Sequence, residues 1–104
     1  MDNTELEKQF YEAVMADVRI LISKYNYKPV FFLTMIAEHG IVETAKRLIN
    51  SSEPSEGYTK LWELQALQYS VENQIQDENW HPLFSDNDRK KAKKRLADYG
   101  FHVN

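Results

Sequence analysis

Pro54-Ser55-Glu56-Gly57-Tyr58-Thr59-Lys60-Leu61-Trp62-Glu63 opens the stretch on which the fold turns. Leu67-Gln68-Tyr69-Ser70-Val71-Glu72 and Asn79-Trp80-His81-Pro82-Leu83-Phe84 complete it. The stretch carries both tryptophans, two of the three prolines and one of the three glycines. Apolar anchors alternate there with breakers and caps, which predicts short elements pinned at fixed angles. Ser55 or Thr59 is placed to cap one short helix, through Leu61, Trp62 and Leu64. Ser70 is placed to cap another, with Glu72 near its positive end. Pro82 should keep Trp80–Phe84 out of a helix.

On the N-terminal side, Leu6, Phe10, Val14, Val18, Leu21, Ile22 and Tyr25 recur at three and four residues. That spacing predicts one long helix over 4–25, opened by a Thr4/Glu7 capping box. Asn26-Tyr27-Lys28 should break it ahead of Pro29, since the residue before a proline disfavours the α region. Pro29 can open a second helix, Val30 to Ala37, with so little polar surface that it should be the most buried. Gly40 is a natural stop. A third helix, 41–50, sets Ile41, Val42, Ala45, Leu48 and Ile49 on one face. Residues 51–57 read as a surface connection too short to divide domains.

On the C-terminal side, Ser85 with Asp88 makes a second capping box. Ala92, Leu96 and Tyr99 form the inner stripe of a last helix, 85–100. Gly100 ends that helix, and Phe101 can fold back over its end. No sustained period-two alternation appears anywhere. The expected fold is therefore all-α: a compact single-domain bundle over 1–104 of five or six helices. A long N-terminal helix and a basic C-terminal helix should flank several short central ones.

The chain has 104 residues, 42% hydrophobic and 28% charged, which suits one ordinary globular domain. Its formal net charge of −3 argues for neither nucleic acid nor membrane as a bulk partner. The absence of cysteine excludes a disulfide framework and thiolate chemistry. The start, Met1-Asp2-Asn3-Thr4-Glu5, lacks the basic and apolar regions of a secretory leader. The most apolar run, 29–37, is far shorter than the ~20 residues that span a bilayer. The expectation is a cytoplasmic protein with no membrane partner.

Chemistry is sparse. Glu63 and Glu72 are the one carboxylate pair suited to glycosidase-type work, which needs two carboxyls some 5 to 10 Å apart. The plainer reading gives Glu72 to a helix start and Glu63 to a nearby cation. Glu38, His39 and Glu43, or His81 and His102, lack metal-ligand spacing. No Gly-x-Ser-x-Gly elbow and no phosphate-cradling glycine loop is present. No catalytic residue, cofactor or metal is therefore assigned.

Tyr58, Trp62, Tyr69, Trp80 and Phe84 suggest an aromatic cluster, most simply read as core. Trp80 follows the polar run 74–79 and should be partly exposed. The last helix holds the charge asymmetry. Arg89, Lys90, Lys91, Lys93, Lys94 and Arg95 face three aspartates in 85–100, while the rest of the chain has seven bases and thirteen acids. Lys90, Lys91, Lys93 and Lys94 should point outward, with Arg89 and Arg95 flanking the inner stripe. Such a face could touch phosphates. A helix-turn-helix reading of 36–49 is weaker, because few base-reading groups follow Gly40.

The order Tyr25–Pro29, Phe32–Met35, Gly40–Leu48, Pro54–Glu63, Leu67–Glu72, Trp80–Phe84 and Ala92–Phe101 resembles a small bacterial family of uncharacterised helical proteins. Three positions depart from that pattern. Gln65-Ala66 stands where the family has Gly-Arg, and Gln68 where it has Asp, so no ligand contact carries over there. The resemblance implies an accessory protein, sometimes in mobile-element or defence settings, and brings no activity. The expected function is a non-enzymatic protein–protein interaction module. Its partner would meet Trp80, Arg89, Lys90, Lys91, Lys93 and Lys94. The alternative is nucleic-acid binding by helix 85–100.

Overall fold

A computed structural model describes residues 3–102 of the chain. Helix α1, Thr4–Tyr25, spans one side of the molecule and buries Phe10, Val14, Val18 and Leu21, the predicted stripe. Its start differs from expectation: Asn3, not Thr4, is the N-cap, and the Glu7 N–H donates to the Asn3 carbonyl at 2.8 Å. Asn26 ends α1 in the left-handed region at φ 52°, a conformation that asparagine tolerates.

Helix α2, Val30–His39, and helix α3, Ile41–Asn50, are joined by a single residue. The Gly40 N–H donates to the Ile36 carbonyl at 2.8 Å, and its own carbonyl accepts from Thr44 N–H at 3.1 Å. Gly40 has φ +82°, which a side chain would strain. The third helix has the predicted bounds, and buries Ile41, Thr44, Ala45 and Ile49.

The second helix overturns an expectation. It was to be the most buried, yet none of its residues is fully buried. Phe31 is 82% exposed and Val30 60%. The reason is geometric. Of α2, Phe32 and Ile36 pack against the larger core, while Val30 and Phe31 turn outward. An all-round apolar helix needs cover on all sides, and its neighbours among the described residues cover only part of it.

Helix α4, Glu56–Glu63, is capped by Ser55, whose hydroxyl accepts from Tyr58 N–H at 3.0 Å. A 3-10 turn, Leu67–Tyr69, leads into the one-turn helix α5, Val71–Gln74. Ser70 joins them: it accepts from Asn73 N–H at 3.1 Å and donates to the Leu67 carbonyl at 2.7 Å. Trp80–Phe84 was expected to be non-helical, but Glu78–Leu83 forms a second 3-10 turn. Pro82 sits near its end, where the lost N–H leaves a three-residue turn intact.

Helix α6, Asp86–Asp98, starts with the predicted capping box between Ser85 and Asp88. At its end the Phe101 N–H donates to the Leu96 carbonyl at 2.8 Å across Gly100 at φ +82°. That is the Schellman closure the spacing predicts.

The chain is all-α, and no strand occurs among the described residues. Two apolar clusters hold it together. Phe10, Val14, Ile41, Ala45, Ile49, Val71, Ile75, Trp80, Leu83, Phe84 and Ala92 form the larger. Leu21, Tyr58, Leu61, Ala66, Leu67 and Leu96 form the smaller. Both α1 and α6 run through the two clusters and tie them together. Among the described residues, no helix is long and apolar enough to cross a membrane.

Candidate functional site

Trp80 is a correction. It was expected to be partly exposed, yet it is 7% exposed, with its ring 5.4 Å from that of Phe10. The 3-10 turn rotates it inward, where its Nε1–H donates to Gln74 Oε1 at 2.9 Å. The Gln74 amide in turn donates to Asp17 Oδ2 at 2.8 Å. A polar relay through Gln74 thus links Trp80 to Asp17 on α1. The expected single aromatic cluster divides as well. Phe10 packs edge-on against Trp80 and Phe84, whereas Tyr99 packs against Tyr58 and Trp62.

The basic helix is only partly free to meet a partner. Arg89 donates to the Phe84 carbonyl at 2.7 Å and pairs with Asp86. Lys91 donates to Asn50 Oδ1 at 2.7 Å, and Lys94 pairs with Asp98 at 2.8 Å. Arg95 donates to the Leu48 carbonyl at 2.9 Å and the Ser51 carbonyl at 2.7 Å, closing the end of α3. Among the described residues, Lys90 and Lys93 are the two of the six that have no such partner.

A cleft of about 700 Å³ opens between α1, α2, α4 and the Ser70–Glu72 corner. Val14, Val18 and Leu21 of α1 form one wall, and Phe32 and Met35 of α2 face it. Tyr58, Leu61 and Tyr69 close the third side, and Phe31 stands at the edge. The size lies within the range of small-molecule sites. The stretch read as a structural staple thus also lines a cleft, which sequence reasoning missed.

Four acids reach this cleft, Asp17, Glu56, Glu63 and Glu72, against the one base Lys60. Glu72 is 4% exposed. Loss of water pushes its carboxyl up to about 7, against smaller opposing effects from its own backbone N–H and from Arg95. Asp17 is also raised by burial, less its bond from Gln74. Tyr58 is raised by burial and by the nearby Glu72, and its hydroxyl donates to the Arg95 carbonyl at 3.1 Å.

Glu63 and Glu72, paired in the sequence reading, do line one cleft, but in unlike settings: Glu63 is exposed and Glu72 buried. Both serines at the cleft serve as helix caps. Among the described residues, no group of three metal-ligating side chains forms. Asp17 was the missed residue, and its signal was visible. It lies three residues after Val14 and four before Leu21, on the apolar stripe itself. Comparison with protein-family models, with curated proteins and with solved structures finds no match for this chain.

Proposed function

We propose that this protein is a non-enzymatic protein–protein interaction module, whose recognition surface is the outer face of α2 at the mouth of the cleft. One observation carries the reading. The most apolar helix among the described residues leaves Phe31 82% and Val30 60% exposed, more than any other large hydrophobic side chain described. Large exposed aromatics at a cleft edge are the usual anchors of an interface. The accessory role in a bacterial or mobile-element setting is what the sequence resemblance implies.

The test is site-specific photo-crosslinking in cells. A benzoylphenylalanine at position 31 should capture one defined partner, and the same probe at position 90 should not. Phe31→Ser should abolish co-purification of that partner. Equal capture from both positions, or an unchanged yield with Phe31→Ser, overturns the reading.

A second reading, nucleic-acid binding by α6, rests on Lys90 and Lys93, which are exposed and have no ion-pair or hydrogen-bond partner among the described residues. Two such cations support only a weak, salt-sensitive contact.

A further inference from the structure

We propose that the cleft is a binding site for a small organic amine, an ammonium group on an apolar or aromatic body, with the Glu72 carboxylate as its counter-ion. This inference goes beyond the partner reading and does not depend on it.

The first support is the state of Glu72. It lines the cleft at 4% exposure, and among the described residues no other residue donates a hydrogen bond to its carboxyl. The cation whose field reaches it, Arg95, directs its guanidinium to the Leu48 and Ser51 carbonyls. A buried carboxyl that meets no donor but its own backbone N–H keeps unused acceptor capacity, and its burial costs stability. Such a group has its natural complement in a ligand that brings a donor.

The second support is the sign of the site. Asp17, Glu56 and Glu63 share the cleft with Glu72, and Lys60 is the one base there. An anion would meet these acids. An ammonium would gain a charge-assisted hydrogen bond inside a low-dielectric wall. A metal ion would need a cluster of ligands, and none forms among the described residues.

The third support is the shape. Leucine, valine and methionine walls beside Tyr58 and Tyr69 receive an apolar body, and tyrosine faces also attract cations. The cleft, about 700 Å³, is larger than an indole with a two-carbon arm, so probes of that size fit without rearrangement.

The experiment is an amide-resolved NMR titration with three indole probes of one size. Tryptamine carries the ammonium, tryptophol is its neutral counterpart, and indole-3-propionate carries the opposite charge. Tryptamine should shift the amides of Val71, Glu72 and Tyr58, and bind about tenfold more tightly than tryptophol, as one charge-assisted bond implies. Indole-3-propionate should bind more weakly than either. Glu72→Gln should bring tryptamine down to the tryptophol level and leave tryptophol unchanged.

A pH series on the unaltered protein gives a second measurement that needs no variant. The tryptamine preference should fall from about pH 8 to about pH 5.5 as Glu72 takes up its proton near 7. The other groups facing the site are Asp17 on α1, Tyr27 between α1 and α2, Glu56, Tyr58, Lys60 and Glu63 on α4, Tyr69 beside α5, and Arg95 on α6. Asp17→Asn should leave most of the pH response in place. Equal affinity for tryptamine and tryptophol, a preference that survives Glu72→Gln, or no shift at the cleft amides each overturns the proposal. None of these results bears on crosslinking from position 31, so the two readings fail separately.

Discussion

Glu72 holds its proton at a pH where an unfolded chain has lost it. Its folded value of about 7 lies above the ordinary 4.5, so the unfolded state ionises first as pH rises. The associated stability is therefore complete below about 4.5 and is lost as pH climbs to about 7, on the order of 3 kcal/mol in all. Asp17 shifts the same way. Asp88 shifts the other way: burial opposes it, but bonds from Asn50 and Ser85 hold it below its usual range. Its contribution fades only in stronger acid. Urea unfolding at pH 5 and pH 8 should show wild type weaker at the higher pH, and Glu72→Gln should flatten most of that difference. Trp80 gives a second prediction. Trp80→Ala should cost about 3 to 5 kcal/mol, as for a buried aromatic, and Trp80→Phe far less. A surface recognition residue would cost little in either form, so denaturation midpoints decide. The identity of Glu72 as an acid in a helix's first turn was legible in the sequence. Its burial was not, because that depends on how four separate segments close around it.

Elements with local causes were legible to within a residue or two. The bounds of α1 and α3, the Ser85 box and the Gly100 closure follow from contacts within a few positions. Ser85→Ala should cost about 1 kcal/mol through the lost cap. Gly100→Ala should cost about 1 kcal/mol, because alanine resists a φ of +82°. Differential scanning calorimetry measures both. The second helix was misread for a physical reason: an apolar run states an appetite for cover, but not whether any neighbour remains to provide it. Trp80 was misread in a similar way, since the polar run before it hid a 3-10 turn that points the ring inward. For α6, Lys90→Glu with Lys93→Glu should leave thermal stability nearly unchanged. If the nucleic-acid reading is right, the same pair should abolish binding at low salt, and a filter-binding titration across salt concentrations would show it.

At the scale of the molecule, two apolar clusters share α1 and α6, so neither should unfold alone. Trp80 reports on the larger and the 47% exposed Trp62, against Tyr99, on the smaller. Single-tryptophan variants, Trp62→Phe and Trp80→Phe, should each give one transition whose fluorescence and circular-dichroism midpoints agree. Disagreement would mean two separable units. The clasp between Arg95 and the Leu48 and Ser51 carbonyls joins residues 47 and 44 positions apart. Synthesis runs from the N-terminus, so the end of α3 leaves the ribosome before the arginine that seals it has been made. Those carbonyls must turn to water until Arg95 arrives, so this clasp cannot close before synthesis has passed residue 95.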